Sequence, residues 1–441
     1  MVKLVLKSIS NTQTSGFSAY AVFTALLLAN YFVNSHVYSI VLLLWAVCLA
    51  VKYHPILMLV PCVLSDTLQG WFMITDTLSF NRAFGFLFVI SCLIRYSRIE
   101  FSKFSLIPVY LSCYVLLTSL WSVTGSFNDS ISFVISMTML IFMESFDDVN
   151  ENEFFKLFNF AFILYGFSLA IQTFSKAGSL RVSQIVFDSA FNANTICSAL
   201  SLSACIVFGC YSIGKGFNKY ISYGFVGICI VAILLVGSRT SLIGLIGSIV
   251  ITSLVANKYK GKSFSIKRIA AFLCVIGLLM AILYFIMHYN PEIYSRFTFS
   301  AEKRTDMLSV TRRTDVWDAL LNYIIPQNLL FGVGFGLLNI KSAVAPYVLH
   351  AHHAHNMFLA IISETGVVGL SLFLMLYIVS FLRVYRSNSI NKVFVISVLS
   401  FAFINGFGEE MLNQRWMWIF FGLIGVLLKD KKLVVKYDKN V

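Results

Sequence analysis

The sequence predicts an all-α, polytopic membrane protein, and three observations carry this prediction. Hydrophobic residues make up 58% of the 441 positions and charged residues only 12%, about half the charge of a soluble domain. The apolar residues form continuous runs, unlike the alternating pattern of a membrane β-barrel. Only helices and closed barrels satisfy the backbone within hydrocarbon. We therefore expect about 12–14 transmembrane helices in a single integral membrane domain, 1–441, with one large extracytoplasmic loop that carries short helices.

The candidate helices follow from the apolar runs, since about 20 apolar residues span a bilayer as helix. Runs 55–72 and 78–94 are the weakest, because Asp66, Asp76 and Arg82 interrupt or border them, and a re-entrant pair is the alternative for these two. The runs lie at 17–33, 37–51, 55–72, 78–94, 104–121, 131–145, 154–173, 195–213, 221–236, 242–256, 269–288, 356–381, 393–410 and 416–428.

The cations set the orientation of these helices. The net charge of +13 would suggest nucleic acid in a soluble protein, but cytoplasmic loops of membrane proteins gather Lys and Arg. With the N-terminus inside, alternation places the densest cation clusters in the cytoplasm, so we predict no nucleic-acid partner. The nine cysteines lie within or at the ends of apolar runs and are interpreted as small hydrophobic residues.

The largest polar segment, loop 289–355, then faces the opposite compartment. A short amphipathic helix is predicted near 312–324, because Trp317, Leu320, Leu321 and Ile324 recur at helical spacing and share one face. Arg312 and Arg313 at its N-terminus favour a phosphate or diphosphate ligand, since arginine there is unfavourable without an anion. An ion pair from Arg313 to a nearby aspartate is the alternative.

Further polar residues are predicted on the same side. Arg239 lies in a short turn between two apolar runs, where it either snorkels to the interface or binds an anion. Glu409 and Glu410 lie close to Arg415 in another short turn. Either acid orients His355 or balances the arginines, and a solvated face is the alternative.

Four histidines cluster at the end of the large loop, and three interpretations apply to them. A zinc site would need a supporting carboxylate or thiol, and none is adjacent. A structural histidine at the mouth of a helix is the second interpretation, and a general base near neutral pH is the third. Glu364 follows within the next apolar run and needs a partner there. Gly366 and Gly369 would clear space for a neighbouring helix. The histidines are His350, His352, His353 and His355.

The spacing His355-Asn356, nine residues, Gly366-Val-Val-Gly369 resembles a motif of the O-antigen ligase and Wzy-type polymerase superfamily. Three further stretches match that superfamily in the same order, so the resemblance covers about 220–370 closely. Leu372 stands where some ligases have one more glycine. The three stretches are Gly237-Ser-Arg239-Thr-Ser241, Arg313-Thr-Asp-Val-Trp317 and Gly332-Val-Gly334-Phe-Gly336.

The resemblance implies a multi-pass protein of the bacterial inner membrane, with loop 289–355 and the active site on the periplasmic face. It implies transfer of a glycan from undecaprenyl diphosphate to a sugar hydroxyl, without metal or cofactor. The expected site has catalytic residues His355, Glu364 and Glu409; diphosphate-binding residues Arg239, Arg312, Arg313 and Arg415; and supporting residues Asn356, Trp317, Gly366 and Gly369.

The acceptor determines which enzyme this is. A lipid-linked repeat unit as acceptor defines a polymerase, which the sequence analysis ranks first, and the lipid A core defines a ligase. No single residue decides between them. The expected partners are the lipid-linked donor, one of these acceptors, membrane lipid and, for a polymerase, a chain-length regulator. A single displacement step would invert the anomeric centre.

A transporter of a lipid-linked glycan is the lower-ranked alternative, since few polar residues line a mid-membrane path.

Overall fold

The computed structural model confirms an all-α fold. It describes residues 16–33, 35–67, 73–75, 79–96, 104–124, 127–146, 149–175, 193–261, 313–348 and 353–429, and five single residues between 277 and 288. Within these residues the only extended pairing is an isolated antiparallel bridge between Met73 and Ser79.

The described helices follow the apolar runs closely, and each run except 269–288 coincides with one of them. Run 269–288 and loop residues 289–312 lie almost entirely outside the described residues. The helices are α1 Phe17–Val33, α2 His36–Lys52, α3 Pro55–Thr67, α4 Phe80–Arg95, α5 Leu106–Thr118, α6 Asn128–Met143, α7 Glu151–Ser175, α8 Ala193–Ser212, α9 Lys219–Val236, α10 Arg239–Tyr259, α11 313–327, α12 Leu337–Val344, α13 Met357–Arg386, α14 Lys392–Asn405 and α15 Arg415–Leu427.

Five of the described helices, α7 to α10 and α13, are long and apolar enough to cross a membrane by themselves. The other apolar helices are shorter, and two of them lie at the centre of the molecule. Every residue of α3 and of α15 is buried. By contrast, α2 exposes a row of apolar side chains, including Val37 and Leu44, as expected of a surface that faces lipid. The chain is a multi-pass membrane protein.

Contacts between helix ends define a cation-rich face. Arg383 at the end of α13 pairs with Glu144 after α6 (2.7 Å). Lys215 after α8 pairs with Glu151 at the start of α7 (2.8 Å). Lys429 after α15 donates to the carbonyl of Phe146 (3.4 Å). The positive-inside rule predicts that this face is cytoplasmic, so the turn before α10 and the start of α13 belong to the opposite face.

Helix α13 is broken at Gly366, where φ is 66° and ψ is −168°. The loop between α11 and α12 fills the break. Val333 N–H donates to the carbonyl of Ser363 (2.9 Å), and Val367 N–H donates to the carbonyl of Leu329 (2.8 Å). A Cβ on Gly366 would collide with the backbone of Leu330. The expectation that Gly366 admits a neighbouring helix was therefore wrong: it admits a loop, and the uninterrupted apolar run gave no sign of the break. Gly369 does face a helix, because its Cβ would lie 3.1 Å from Tyr114 of α5.

Replacing Gly366 by alanine should destabilise the protein by about 1–3 kcal/mol, because this backbone conformation is open essentially to glycine alone and the loop leaves no room for a methyl group. The unfolding midpoint in detergent measures the effect. Gly224→Ala in α9 is the matched control, since no atom lies within 4 Å of its Cβ position. An equal midpoint for the two variants would show that the break in α13 is not constrained by the loop.

Candidate functional site

Four stretches of the chain meet at the face opposite the cation-rich one: the turn before α10, the start of α11, residues 353–356 and the α14–α15 turn. Met357 N–H donates to the carbonyl of Gly406 (2.8 Å), and the Asn356 amide donates to the carbonyl of Phe407 (3.2 Å). The side chain of Thr240 fills the space beside Gly408. The α14–α15 turn therefore contacts both the Arg239 turn and the start of α13.

Arg313 lies within electrostatic range of both Arg239 and Glu409. Burial and the neighbouring Arg239 lower the pKa of Arg313, and the nearby carboxyl group of Glu409 opposes that shift. Both arginines are partly exposed. The two guanidinium groups come from separate parts of the chain, so the fold brings together the two positive charges that the sequence predicted to bind one anion.

The carboxyl group of Glu409 is 6% exposed. Burial raises the pKa of Glu409 to about 7, although Arg313 and a hydrogen bond with Asn194 act in the opposite direction. Asn194 accepts a hydrogen bond from Ser238 Oγ (2.9 Å), and Ser238 is the residue before Arg239. Glu409 therefore interacts electrostatically with Arg313. Through Asn194 and Ser238 it is also linked to the turn that holds Arg239.

This arrangement predicts that the binding of an anionic ligand depends on pH. Below about pH 7 Glu409 is neutral and the two arginines carry their full charge. As the pH rises through 7, Glu409 ionises and offsets one of these charges, so affinity for a diphosphate should fall several-fold. Titration of a diphosphate analogue between pH 6 and 8 measures this change. Glu409→Gln should bind tightly across the whole range, and an identical pH dependence in that variant would exclude Glu409 as its origin.

His355 adopts a left-handed backbone conformation, with φ of 47°. The carbonyl of the residue before it is held by a tryptophan: Trp317 Nε1 donates to the carbonyl of Ala354 (2.6 Å). The carboxyl group of Glu410 lies near the backbone of Ala354. On the other side, Asn356 Oδ1 caps α13 by accepting from Phe358 N–H (3.0 Å). These bonds fix the position of His355, whose ring is partly exposed.

Trp317→Phe should lower the rate of the glycan transfer expected from the sequence about fivefold, since it removes one hydrogen bond that positions the His355 backbone, worth about 1 kcal/mol. The phenyl ring keeps most of the packing, so we expect the donor KM and the unfolding midpoint to change little. Steady-state kinetics with the lipid-linked donor provide the measurement. A change confined to KM would instead place Trp317 in donor binding.

Glu364 and Glu410 form a carboxyl pair beneath residues 353–356. Glu364 is 1% exposed, its Oε2 accepts the N–H of Gly336 (3.1 Å), and it interacts with Glu410. Burial raises the pKa of Glu410 to about 8, and Asp129 adds to this effect. Glu410 is therefore protonated near neutral pH. Glu364 reaches the His355 segment through Glu410, an arrangement that the spacing along a straight helix could not predict.

Arg415 does not lie open to a donor. It is 1% exposed, and its NH1 donates to the carbonyl oxygen (2.5 Å) and the side chain (2.7 Å) of Asn81. Asn81 in turn donates to Asp66 (2.6 Å), which accepts Trp416 N–H (2.7 Å). The prediction that Arg415 binds the diphosphate is contradicted by these contacts: its nitrogens join α15 to Asn81 of α4 and to Ser136 of α6 in the core.

The remaining predictions concern three residues that the structure does not describe, the surface helix and the partner of Arg313. Arg312, His350 and His352 lie outside the described residues. The predicted surface helix is present as α11, with Leu320 and Ile324 buried but Leu321 exposed. Arg313 interacts with Glu409, in line with the expectation that this acid balances the arginines. Sequence reasoning missed the roles of Asn194 and Asp129, which lie far along the chain from the motifs.

These features define a polytopic membrane protein with paired arginines, carboxyl groups and a histidine at one face. Residues 224–374 match the family described as O-Antigen ligase, and this match confirms the resemblance to the O-antigen ligase and Wzy-type superfamily over that part of the chain. It supports a function of the ligase or polymerase type in surface-polysaccharide assembly. A search of curated proteins gave no match. The matched range includes Arg239, Arg313 and His355 and ends before Glu409.

Proposed function

We propose that the protein transfers a glycan from a polyprenyl diphosphate, undecaprenyl diphosphate in bacteria, to a sugar hydroxyl. The observation that carries this proposal is the convergence of Arg239 and Arg313 beside the segment that holds His355. The two arginines interact with each other, and Trp317, one helical turn after Arg313 on α11, donates to the residue before His355. A glycosyl diphosphate needs these two functions together, a cationic site for the leaving group and a base for the acceptor.

The chemistry follows from this arrangement. The acceptor hydroxyl oxygen attacks the anomeric carbon, and the bond from that carbon to the diphosphate oxygen breaks. The arginines stabilise the charge that develops on the departing diphosphate, and the His355 imidazole takes the proton from the attacking hydroxyl. The displacement inverts the anomeric centre, and no metal is required. Product NMR that shows retention would contradict the single step.

The orientation of the site supports a lipid-linked donor. The positive-inside rule predicts that the paired arginines face the periplasm, where cytosolic nucleotide-sugars are not accessible. The donor must therefore arrive already activated. We extend this to a single membrane domain, 1–441, in which loop 289–355 contributes Arg313, Trp317 and His355 to the periplasmic site of an inner-membrane enzyme.

Glu409 regulates the charge of the donor site in this proposal. Its carboxyl group, which forms a hydrogen bond with Asn194, offsets part of the positive charge that Arg239 and Arg313 present to the diphosphate. Glu364 supports the His355 segment through Glu410. Both acids act on the groups that contact substrate.

A surface-polysaccharide gel from a deletion strain tests the function and separates the two acceptors. A single repeat on lipid A core indicates a lost polymerase, as the sequence analysis ranks first. Bare core with accumulated lipid-linked polymer indicates a lost ligase, the activity in the description of the matching family. An unchanged gel would overturn the proposal. Purified protein that moves the lipid-linked donor across vesicles without forming a glycosidic bond would establish a transporter.

A further inference from the structure

A cavity lined in part by polar side chains lies at the cation-rich face, at the opposite ends of the helices from the proposed active site. Its volume is about 460 Å³, and it is formed by the start of α1, the first turns of α7 and the α8–α9 turn. Phe17 N–H donates to Glu153 Oε1 (2.5 Å) and so joins α1 to α7. The apolar walls are the rings of Phe17, Phe160 and Phe217.

One face of α7 supplies the polar groups of this cavity. Asn152, Lys156 and Asn159 line it, and their spacing of four and three residues places them on the same side of the helix. Asn159 is 3% exposed, and its Oδ1 accepts no hydrogen bond from the described residues. A buried amide oxygen without a donor costs about 1–3 kcal/mol, so this atom indicates that a ligand with a hydrogen-bond donor enters the cavity.

The charge of the cavity comes from two lysines, of which one is neutralised. Lys215 lines the cavity but pairs with Glu151 (2.8 Å) and lies over the Phe155 ring. Lys156 is exposed and forms no hydrogen bond or ion pair with the residues that the structure describes. Within the described part of the chain, the cavity lining therefore presents one ammonium group without an ion-pair partner, which suits a ligand with a single negative charge.

The position of the cavity near the membrane–water interface indicates that the ligand comes from the membrane. Tyr220 and Tyr223, in the first turns of α9 beside the α8–α9 turn, are exposed, and tyrosines are enriched where the bilayer meets water. Basic pockets between transmembrane helices at this level bind lipid headgroups. Acyl chains would lie along the lipid-facing surface while the headgroup enters the cavity.

We infer that this cavity, between Lys156 and the buried amide of Asn159, binds the headgroup of a singly anionic phospholipid of the phosphatidylglycerol type. The phosphate contacts Lys156, and a glycerol hydroxyl donates to Asn159 Oδ1. The site is separate from glycan transfer and stands whether or not the proposed activity is correct.

Delipidated protein in a non-ionic detergent, titrated with short-chain phosphatidylglycerol, tests the inference through the rise in unfolding midpoint. Lys156→Gln and Asn159→Leu should each weaken the apparent lipid affinity about tenfold, the loss expected for one charge-assisted or buried hydrogen bond. Lys219→Gln is the matched control: it removes the same charge from an exposed position on the same face, outside the cavity lining, and should titrate like the unmodified protein.

Two further ligands make the result decisive. Phosphatidylcholine has the phosphate but neither the net charge nor the hydroxyl, and it should raise the midpoint less. Inorganic phosphate should have no effect at equal concentration; an equal rise would identify a free-anion site and overturn the lipid assignment. Unchanged titration by phosphatidylglycerol in both cavity variants would overturn it as well. Loss of glycan transfer is not part of this readout, so the two proposals fail independently.

Discussion

We expect glycan transfer to be lost when His355 is replaced by alanine, while the protein still folds and inserts into the membrane. A general base contributes about 10²- to 10⁴-fold to a rate, so its loss should remove most of the transfer. The measurement is single-turnover transfer from a lipid-linked donor by purified protein, together with the surface-polysaccharide gel of cells that carry only this variant.

His353 provides the control, because its ring lies 6.0 Å from that of His355 and belongs to the same segment. His353→Ala should retain transfer, which would assign the base to position 355 rather than to the histidine cluster as a whole. Long-chain glycan of normal abundance in cells with His355→Ala would remove this residue from the mechanism. Size-exclusion profiles of both variants confirm that the fold is intact.

The second large effect is expected at Arg313. Arg313→Gln should lower transfer by about 2–4 kcal/mol of transition-state stabilisation, or about 30- to 1,000-fold, as for the loss of one preorganised group at a developing anion. It also removes the group that lowers the pKa of Glu409, so this carboxyl group ionises at a higher pH than in the unmodified protein. Donor affinity and turnover, measured at pH 6 and pH 8, should therefore fall less between the two pH values than in the unmodified protein.

Arg386→Gln is the matched control for the loss of a guanidinium group, since Arg386 is exposed at the far end of α13. It should leave transfer unchanged. Arg239→Gln should resemble Arg313→Gln in weakening the donor. If both variants at the site bind the donor as tightly as the unmodified protein, the paired arginines do not hold the diphosphate.

Much of the fold could be predicted because the bilayer imposes a simple rule on sequence. Runs of apolar residues and the side on which Lys and Arg gather determine the helices and their direction, and helices such as α9 and α10 begin and end within a few residues of their predicted bounds. The break in α13 could not be predicted in this way. Hydropathy is continuous through Gly366, and only the loop between α11 and α12, packed against it, reveals the change in backbone direction.

The site was predictable where it depended on local motifs and not where it depended on tertiary partners. Arg239, Arg313 and His355 were proposed from their sequence surroundings, and the structure brings the turns that carry them together. Arg415 has a similar local setting, a cation beside a polar turn. Its role depends on Asn81 and Asp66, which are more than 300 residues away along the chain, so its burial was invisible in the sequence.

The break in α13 also determines how deep in the membrane the proposed site lies. After Gly366 the helix continues to Arg386, roughly 20 residues and about 30 Å, which alone matches the hydrocarbon thickness. The turns from Met357 to Thr365 are therefore not needed to cross the lipid and can rest among the headgroups. In the proposed function, an imidazole at the start of those turns would lie among the headgroups, where the pyrophosphate of a membrane-anchored donor can reach it without leaving the leaflet.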